Sequence, residues 1–276
     1  MRGGGPMRRA RPARRGSLRI AGGAVLVVAV LAVAFIGPLV APYNPGAFVS
    51  TPYAPPSGQY PLGTDVLGRD VLSQVLTGGR VFLLQGIVAT VLGVGLGVAA
   101  GIGLATAGRR IADLVLSLND IVIVLPQIVI ALLVLTRLGA TSLTLVTVIG
   151  VVHIPQSARV VRAASDQVIT ADYFESARAL GVPWRRLVGG EILPNILPVV
   201  LLEFSIRLAM SVVVLASLSY LGFGSTAMSW GRMIYESQGA LSIQPWAVLA
   251  PVILIGMFLV GANMLRDGIT RRAGTP

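Results

Sequence analysis

Apolar segments of about twenty residues alternate with short polar connections along this chain. Each apolar segment can cross a hydrocarbon core of about 30 Å at about 1.5 Å per helical residue. Because unpaired backbone groups are too costly in lipid, each crossing has to be helical. The pattern therefore predicts an all-α membrane protein with six transmembrane helices. The predicted spans are residues 18–40, 81–106, 114–135, 143–161, 196–221 and 246–265.

The polar connections define the remaining regions of the chain. Residues 41–80 are rich in Pro and Gly and predict a segment outside the cytoplasm, with an interfacial helix over residues 70–79. Residues 81–266 form a five-helix core that contains a polar, charged loop at 163–195. The predicted spans leave an Arg-rich amino tail at residues 1–17 and a short carboxyl tail at residues 267–276.

Three residues interrupt the apolar pattern of the core spans. Pro126 lies inside the third span and predicts a kink, because Pro lacks a backbone N–H and clashes with the preceding turn. His153 and Pro155 predict a break in the fourth span. A lone His at such a break either senses protons or hydrogen-bonds the freed carbonyl groups, and the second role is the more common.

Composition excludes several classes of function. The chain has 276 residues, of which 54% are hydrophobic and 12% charged. All its basic side chains apart from one His are Arg, and without Lys the chain cannot form a standard P-loop, so it is not itself a standard ATPase. No Cys and one His leave no disulfide and no expected metal site. We therefore expect no cofactor in this chain.

The arginines predict the orientation in the membrane. The net charge is +11, but the arginines cluster at the ends of apolar segments, which favours membrane topology over a nucleic-acid surface. Most of the arginines lie in the two tails, around Arg109 and in the 163–195 loop. Six spans place all of these regions on the same side of the membrane. Both termini are therefore predicted to be cytoplasmic. A cleaved secretory or twin-arginine signal is the alternative for the first apolar run, but that run is longer than a signal core.

A stripe of glycines marks the second span. Gly93, Gly97 and Gly101 recur at four-residue spacing and so lie on one face of a helix. This face lets another backbone come close, either within the subunit or across a dimer. The alternative is that Gly is simply common in membrane helices.

The loop at 163–195 carries the most informative motif. Glu175-Ser176-Ala177 is followed by three residues and Gly181, and the segment closes on Leu193-Pro194. This spacing resembles the cytoplasmic EAA loop of ABC-importer permeases. The resemblance implies that these six residues belong to a loop that couples the permease to an ATPase. Ser176 and Glu191 depart from the usual pattern.

Two further segments narrow the resemblance. Leu62-Gly-Thr-Asp-Val-Leu-Gly-Arg-Asp-Val-Leu-Ser73 and Ser217-Leu-Ser-Tyr-Leu-Gly-Phe-Gly224, followed by Ser229-Trp230-Gly231, are similar to signatures of the C-type permease subunit of dipeptide/oligopeptide importers. This family comprises binding-protein-dependent transport system inner-membrane components. The resemblance covers residues 18–270. Leu215 and Met228 depart from the family pattern, which affects the outer gate and the substrate more than the architecture.

The resemblance implies a type I ABC importer permease fold in the bacterial cytoplasmic membrane. It also implies a homologous B-type permease partner, two ATPase subunits that bind ATP and Mg, and an extracytoplasmic substrate-binding protein. Membrane lipid would surround the complex, and no nucleic acid or covalent chemistry is involved. Di- or oligopeptides are the expected substrates, with nickel chelates, glutathione or oligosaccharides as alternatives. A secondary transporter fits less well because it needs no such loop, and an intramembrane enzyme fits less well because the chain has one His, no Cys and no His-Glu-x-x-His motif.

Three polar or aromatic side chains are candidates for the translocation path or its gate. Glu203 and Arg207 lie four residues apart on the fifth span and so face the same side of the helix. They line a cavity or gate, form a structural pair, or, for Arg207, extend to the membrane surface. Trp230 is either an interfacial anchor or part of the outer gate.

Overall fold

Helices account for most of the chain. In the computed structural model, residues 12–107, 109–224 and 227–273 are described and form ten α-helices. They are α1 (Pro12–Val40), α2 (Val71–Thr106), α3 (Arg109–Val124), α4 (Gln127–Leu138), α5 (Ser142–Ile169), α6 (Asp172–Ala179), α7 (Trp184–Arg186), α8 (Leu193–Leu218), α9 (Trp230–Ser237) and α10 (Trp246–Ala273). Wide π-type turns follow α7 and α8, over Leu187–Ile192 and Ser219–Phe223.

The helix α2 lies at the centre of the bundle. It runs parallel to α5, and α8 crosses both in the opposite direction, since Gly86 faces Val212 and Ser157 bonds Glu203. The long helices α1 and α10 pack against each other in antiparallel fashion, with Gly23 against Gly261. The largest apolar core joins α1, α2, α4, α5, α8, α9 and α10. The ends of α2 and α5 therefore meet at one end of the bundle, opposite to residues 41–70.

The glycine stripe of α2 lies against α5 within the same chain. A Cβ atom at Gly93 would lie 2.5 Å from the carbonyl oxygen of Gly150, and one at Gly97 2.5 Å from Cβ of Ser157. A Cβ atom at Gly101 would lie 2.8 Å from the carbonyl oxygen of Ala158. Of the two packing arrangements expected for this stripe, the structure thus shows the one within the subunit.

The second span is longer than predicted. A separate interfacial helix over residues 70–79 is wrong, because these residues form the first turns of α2, which is 36 residues long. Asp70 caps the helix, and its carboxylate accepts a 2.8 Å hydrogen bond from the backbone N–H of Ser73. The local cap starts the helix early, and packing against α9 carries it through Gly78 and Gly79.

The third span is broken rather than kinked. The axes of α3 and α4 differ by 83° across Leu125 and Pro126. Pro126 lacks a backbone N–H and disfavours helical geometry at Leu125, so neither helix continues through this point. The fourth span was predicted to break at His153 and Pro155, but α5 runs through both residues without a break.

The predicted regions shift slightly at their ends. By length and apolar composition, five helices of the described chain can cross a membrane, and α3 with α4 makes six if the bent pair forms one span. Most of the predicted amino tail, at 1–11, lies outside the described residues. The carboxyl tail continues α10 to Ala273, and residues 274–276 also lie outside the described part.

Replacement of Gly97 tests the close helix contact. We expect Gly97→Ala to lower the free energy of unfolding by about 1–3 kcal/mol, because the added methyl group overpacks the contact with Ser157. Gly95 on the same helix faces open space. Gly95→Ala should therefore be neutral or stabilise by up to about 1 kcal/mol through helix propensity. Thermal unfolding in detergent compares the two, and equal shifts would contradict the contact.

Candidate functional site

The loop between α5 and α8 is the first part of the candidate site. The prediction placed it at 163–195, but α5 continues to Ile169 and α8 begins at Leu193. The connecting segment is therefore residues 170–192. Leu193 and Pro194, predicted to close the loop, form the first turn of α8, which follows the π-type turn Leu187–Ile192 without a break.

The helix α6 ends in a Schellman motif. The backbone N–H of Gly181 donates to the carbonyl oxygen of Arg178 at 3.0 Å, and that of Val182 donates to Ala177 at 3.2 Å. The φ angle of Gly181 is +76°, which a residue with a Cβ atom adopts only at a cost. This Gly therefore turns the chain from α6 towards α7.

An apolar base holds the connecting segment on the bundle. Phe174 is 1% exposed, and its ring meets that of Trp184 edge to face, with centroids 6.5 Å apart. Phe174, Leu187 and Ile192 of the connecting segment join a small core with residues from the ends of α2 and α5 and the start of α8, namely Ile102, Val161, Val168 and Ile196. Movement of the connecting segment therefore reaches three long helices through this core.

The opposite face of the connecting segment is open to its surroundings. Glu175, Ser176 and Gly181 are exposed, and Leu180 is 84% exposed. Ala177 is half-buried against the base. This face therefore presents a large apolar side chain among polar residues.

The predicted pair of Glu203 and Arg207 is formed. Arg207 Nε donates to Glu203 Oε1 at 2.6 Å, and Ser157 Oγ on α5 donates to the same oxygen at 3.1 Å. Arg207 Nη1 also donates to Gln156 Oε1. Glu203 is 3% exposed, so the pair lies between helices within this subunit. These contacts favour the structural pair over an Arg207 that extends to the membrane surface.

His153 belongs to a second polar contact on the same helices. His153 Nε2 and Ser211 Oγ are 2.9 Å apart, and Ser211 Oγ lies 2.9 Å from Thr90 Oγ1. The contact links α5, α8 and α2. His153 therefore bonds a side chain on α8, and not the freed carbonyl groups of its own helix as the sequence suggested.

A third polar cluster lies at the other end of the bundle. Arg69 Nε donates to Asp65 Oδ2 at 2.7 Å, and Arg69 Nη2 donates to Glu236 Oε2 on α9 at 2.5 Å. Gln74 Nε2 donates to the same Asp65 oxygen at 2.8 Å. Burial alone would lower the pKa of Arg69, but the hydrogen bonds and charges of Asp65 and Glu236 outweigh it and raise the pKa. The guanidinium is thus a fixed positive charge.

Trp230 packs beside the Arg69 cluster, and together they form a joint between α9 and the start of α2. Its side chain is fully buried, and Nε1 donates to the carbonyl oxygen of Val75 at 2.8 Å. Gly78 and Gly79 give the ring and its backbone room to approach α2. An interfacial anchor would be half-exposed, so that expectation is wrong for Trp230. Because Trp230 is fully buried, a role at an outer gate has to be indirect, through the position of α9.

Sequence reasoning missed several of these residues. The missed residues are single polar side chains inside apolar spans: Gln156, Ser157, Ser211 and Thr90. A single polar residue in such a span does not by itself indicate a function. Their spacing held one usable signal. Glu203 and Ser211 lie eight residues apart, so they share a face of α8, as His153 and Ser157 share a face of α5.

Comparison with known proteins assigns the chain to a family. Residues 93–274 match the family model for the binding-protein-dependent transport system inner membrane component. The chain belongs to this family. The putative peptide transport system permease of Brucella suis is 31% identical over 259 residues, 93% of this chain and 86% of the relative. The glutathione transport system permease of Pectobacterium atrosepticum is 30% identical over 250 residues, 89% and 83% of the two chains.

The fold agrees with the family. A structure of the methionine ABC transporter MetNI in an inward-facing conformation matches with a TM-score of 0.60 at 20% identity, over 73% of this chain and 97% of that chain. The expected type I importer permease fold is confirmed. This inner-membrane component is therefore a multi-pass transport subunit. The family match includes the connecting segment, the polar contacts between α5 and α8, and the α9 side of the joint around Arg69, whereas Arg69 itself lies before it.

Replacement of Arg69 tests the joint of this inner-membrane component. Arg69→Met leaves Asp65 buried without its main counter-charge, so we expect a loss of about 3–5 kcal/mol in stability. Arg80→Met, at an exposed position of α2, should change stability by less than about 0.5 kcal/mol. Thermal unfolding in detergent gives both values. A similar effect of the two substitutions would show that the joint contributes little.

Proposed function

We propose that this inner-membrane component is one of two homologous permease subunits of an ATP-driven importer of di- or oligopeptides. The observation that carries the proposal is the connecting segment, whose outer face is open while its base is fixed to α2, α5 and α8. Two ATPase subunits, which bind ATP and Mg, dock on such segments from the cytoplasm. An extracytoplasmic binding protein delivers the substrate to the opposite end.

The connecting segment supplies the contact with the ATPase. Glu175, Ser176 and Leu180 lie on its open face, and Gly181 sets the direction in which the chain leaves α6. Ala177 and the first turn of α8, at Leu193 and Pro194, join this face to the bundle. Closure of the ATPase pair on ATP would displace the segment, and the base at Phe174 passes that displacement to the long helices. Nucleotide thereby biases two states of the permease pair.

The substrate assignment depends on the relatives. Curated relatives include permeases named for dipeptides, di/tripeptides and D,D-dipeptides, and one named for glutathione. Peptides are the class these names share, and glutathione is the main alternative. The binding protein filters the substrate outside this chain. Purification of the whole complex and mass spectrometry of the ligand on its binding protein would decide between the two.

Substitution of Gly181 tests the docking role. We expect Gly181→Val to abolish most association with the ATPase subunit, because a β-branched residue at φ +76° costs about 1–3 kcal/mol. Gly181→Asn should retain most association, since Asn tolerates this conformation. Gly95→Val is the control, at an exposed position of α2 with open space, outside the connecting segment. Co-purification measures the effect, and normal association of Gly181→Val would contradict the docking role.

The orientation has a direct test because the chain has no native Cys. Ser57 and Ser242 are exposed at the end opposite to the connecting segment, and Ser176 is exposed on that segment. We expect Ser57→Cys and Ser242→Cys to react in intact cells with an impermeant maleimide, and Ser176→Cys to react only after lysis. Labelling of Ser176→Cys in intact cells would reverse the proposed orientation.

A further inference from the structure

We infer that the polar group of Gln156, Ser157, Glu203 and Arg207 fastens α5 to α8, so that the two helices beside the connecting segment move as one body. The inference rests on the proposed function, because it assigns these four residues a positioning role in the transport cycle. None of them needs to touch the substrate. They would transmit the displacement of the connecting segment without loss between its two flanking helices.

Two hydrogen bonds cross the interface between α5 and α8 at one level along the helices. Ser157 Oγ on α5 donates to Glu203 on α8 at 3.1 Å, and Arg207 on α8 donates to Gln156 on α5. The ion pair between Glu203 and Arg207, at 2.6 Å, joins the two bonds into one group. Separation of the helices would break both bonds together.

A second polar contact, or tie, between α5 and α8 lies further from the connecting segment than the first. His153 and Ser211 are 2.9 Å apart, and Ser211 is eight residues from Glu203 on α8. Eight residues correspond to about 12 Å along α8, whereas His153 and Ser157 on α5 are four residues, or about 6 Å, apart. A single tie would allow the helices to pivot about it, whereas two ties at this separation resist both pivoting and sliding.

The surroundings make these ties costly to break. Glu203 is 3% exposed, and the side chain of Arg207 is 12% exposed. A buried polar group that loses its partner in a low-dielectric setting is strongly penalised. By contrast, the ion pair of Asp120 on α3 with Arg159 on α5 joins side chains that are 55% and 46% exposed. Water or lipid headgroups can replace that contact, so α3 is fastened much less firmly than α8.

The first test measures coupling in the complete transporter. In proteoliposomes with the ATPase subunits, the partner permease and the binding protein, we expect Glu203→Gln and Arg207→Gln each to lower the dialanine taken up per ATP hydrolysed by about tenfold. The exchange variant E203R/R207E should recover at least about a third of the wild-type ratio, because Gln156 can donate to a carboxylate and Ser157 can accept from a guanidinium.

A matched control lies between the two residues. Ser205 bonds only the backbone of its own helix, at the carbonyl oxygen of Leu201, 2.9 Å away. Ser205→Ala should keep the wild-type ratio of uptake to hydrolysis. If the Glu203 and Arg207 variants assemble less but keep that ratio, the group is only structural and the inference is wrong. The inference is also wrong if the exchange variant is as poorly coupled as the single variants.

A second test needs no substrate. Val151 on α5 and Met210 on α8 are exposed and can carry spin labels on cysteines. In the complex, the distance between the labels should be the same without nucleotide and with ATP and vanadate, and its distribution should broaden in Glu203→Gln. A shift in the wild type would overturn the inference. A wild-type complex that fails to hydrolyse ATP or take up dialanine, with an unchanged label distance, would instead count against the proposed function alone.

Discussion

The close approach of α2 and α5 is the constraint on which the other contacts depend. Gly93, Gly97 and Gly101 remove side chains from one face of α2, so the two backbones meet along several turns. The contact makes the helices parallel and brings their ends together. The base of the connecting segment can form only because Ile102 on α2 and Val168 on α5 then lie beside Phe174. Packing within the bundle thus decides where the docking surface stands.

Polar contacts then fix what apolar packing leaves free. Apolar side chains in lipid gain little from meeting one another rather than lipid tails, so they specify the register of two helices weakly. The bonds from Ser157 to Glu203 and from His153 to Ser211 specify one register between α5 and α8. Outside the spans, Arg69 does the same for the first loop and α9. The two sequence signatures around Arg69 and Trp230 lie far apart in the chain but form the two sides of one joint.

The sequence predicted the features that depend on local chemistry. The approximate positions of the apolar spans and the glycine stripe follow from hydrophobicity and residue size. Features set by distant contacts were missed. In the sequence, Gly78 and Gly79 are predicted to end a short helix. In the structure they make room for Trp230, which follows Gly79 by 151 residues. Pro126 shows that a helix is disturbed but carries no information on the 83° angle, which depends on the packing of α4.

The strength of the contacts divides the subunit into firmly and weakly held parts. The helices α2, α5 and α8 share an apolar core, close backbones and buried polar ties. The helix α3 has only Ala112 buried among its described side chains, and exposed ion pairs such as the one from Asp120 to Arg159 contribute about 0–1 kcal/mol. Asn119 adds a 2.6 Å hydrogen bond to the carbonyl oxygen of Pro155. Displacement of α3 therefore costs much less free energy than separation of α5 from α8, and a force on the connecting segment meets a stiff unit with one loosely attached helix beside it.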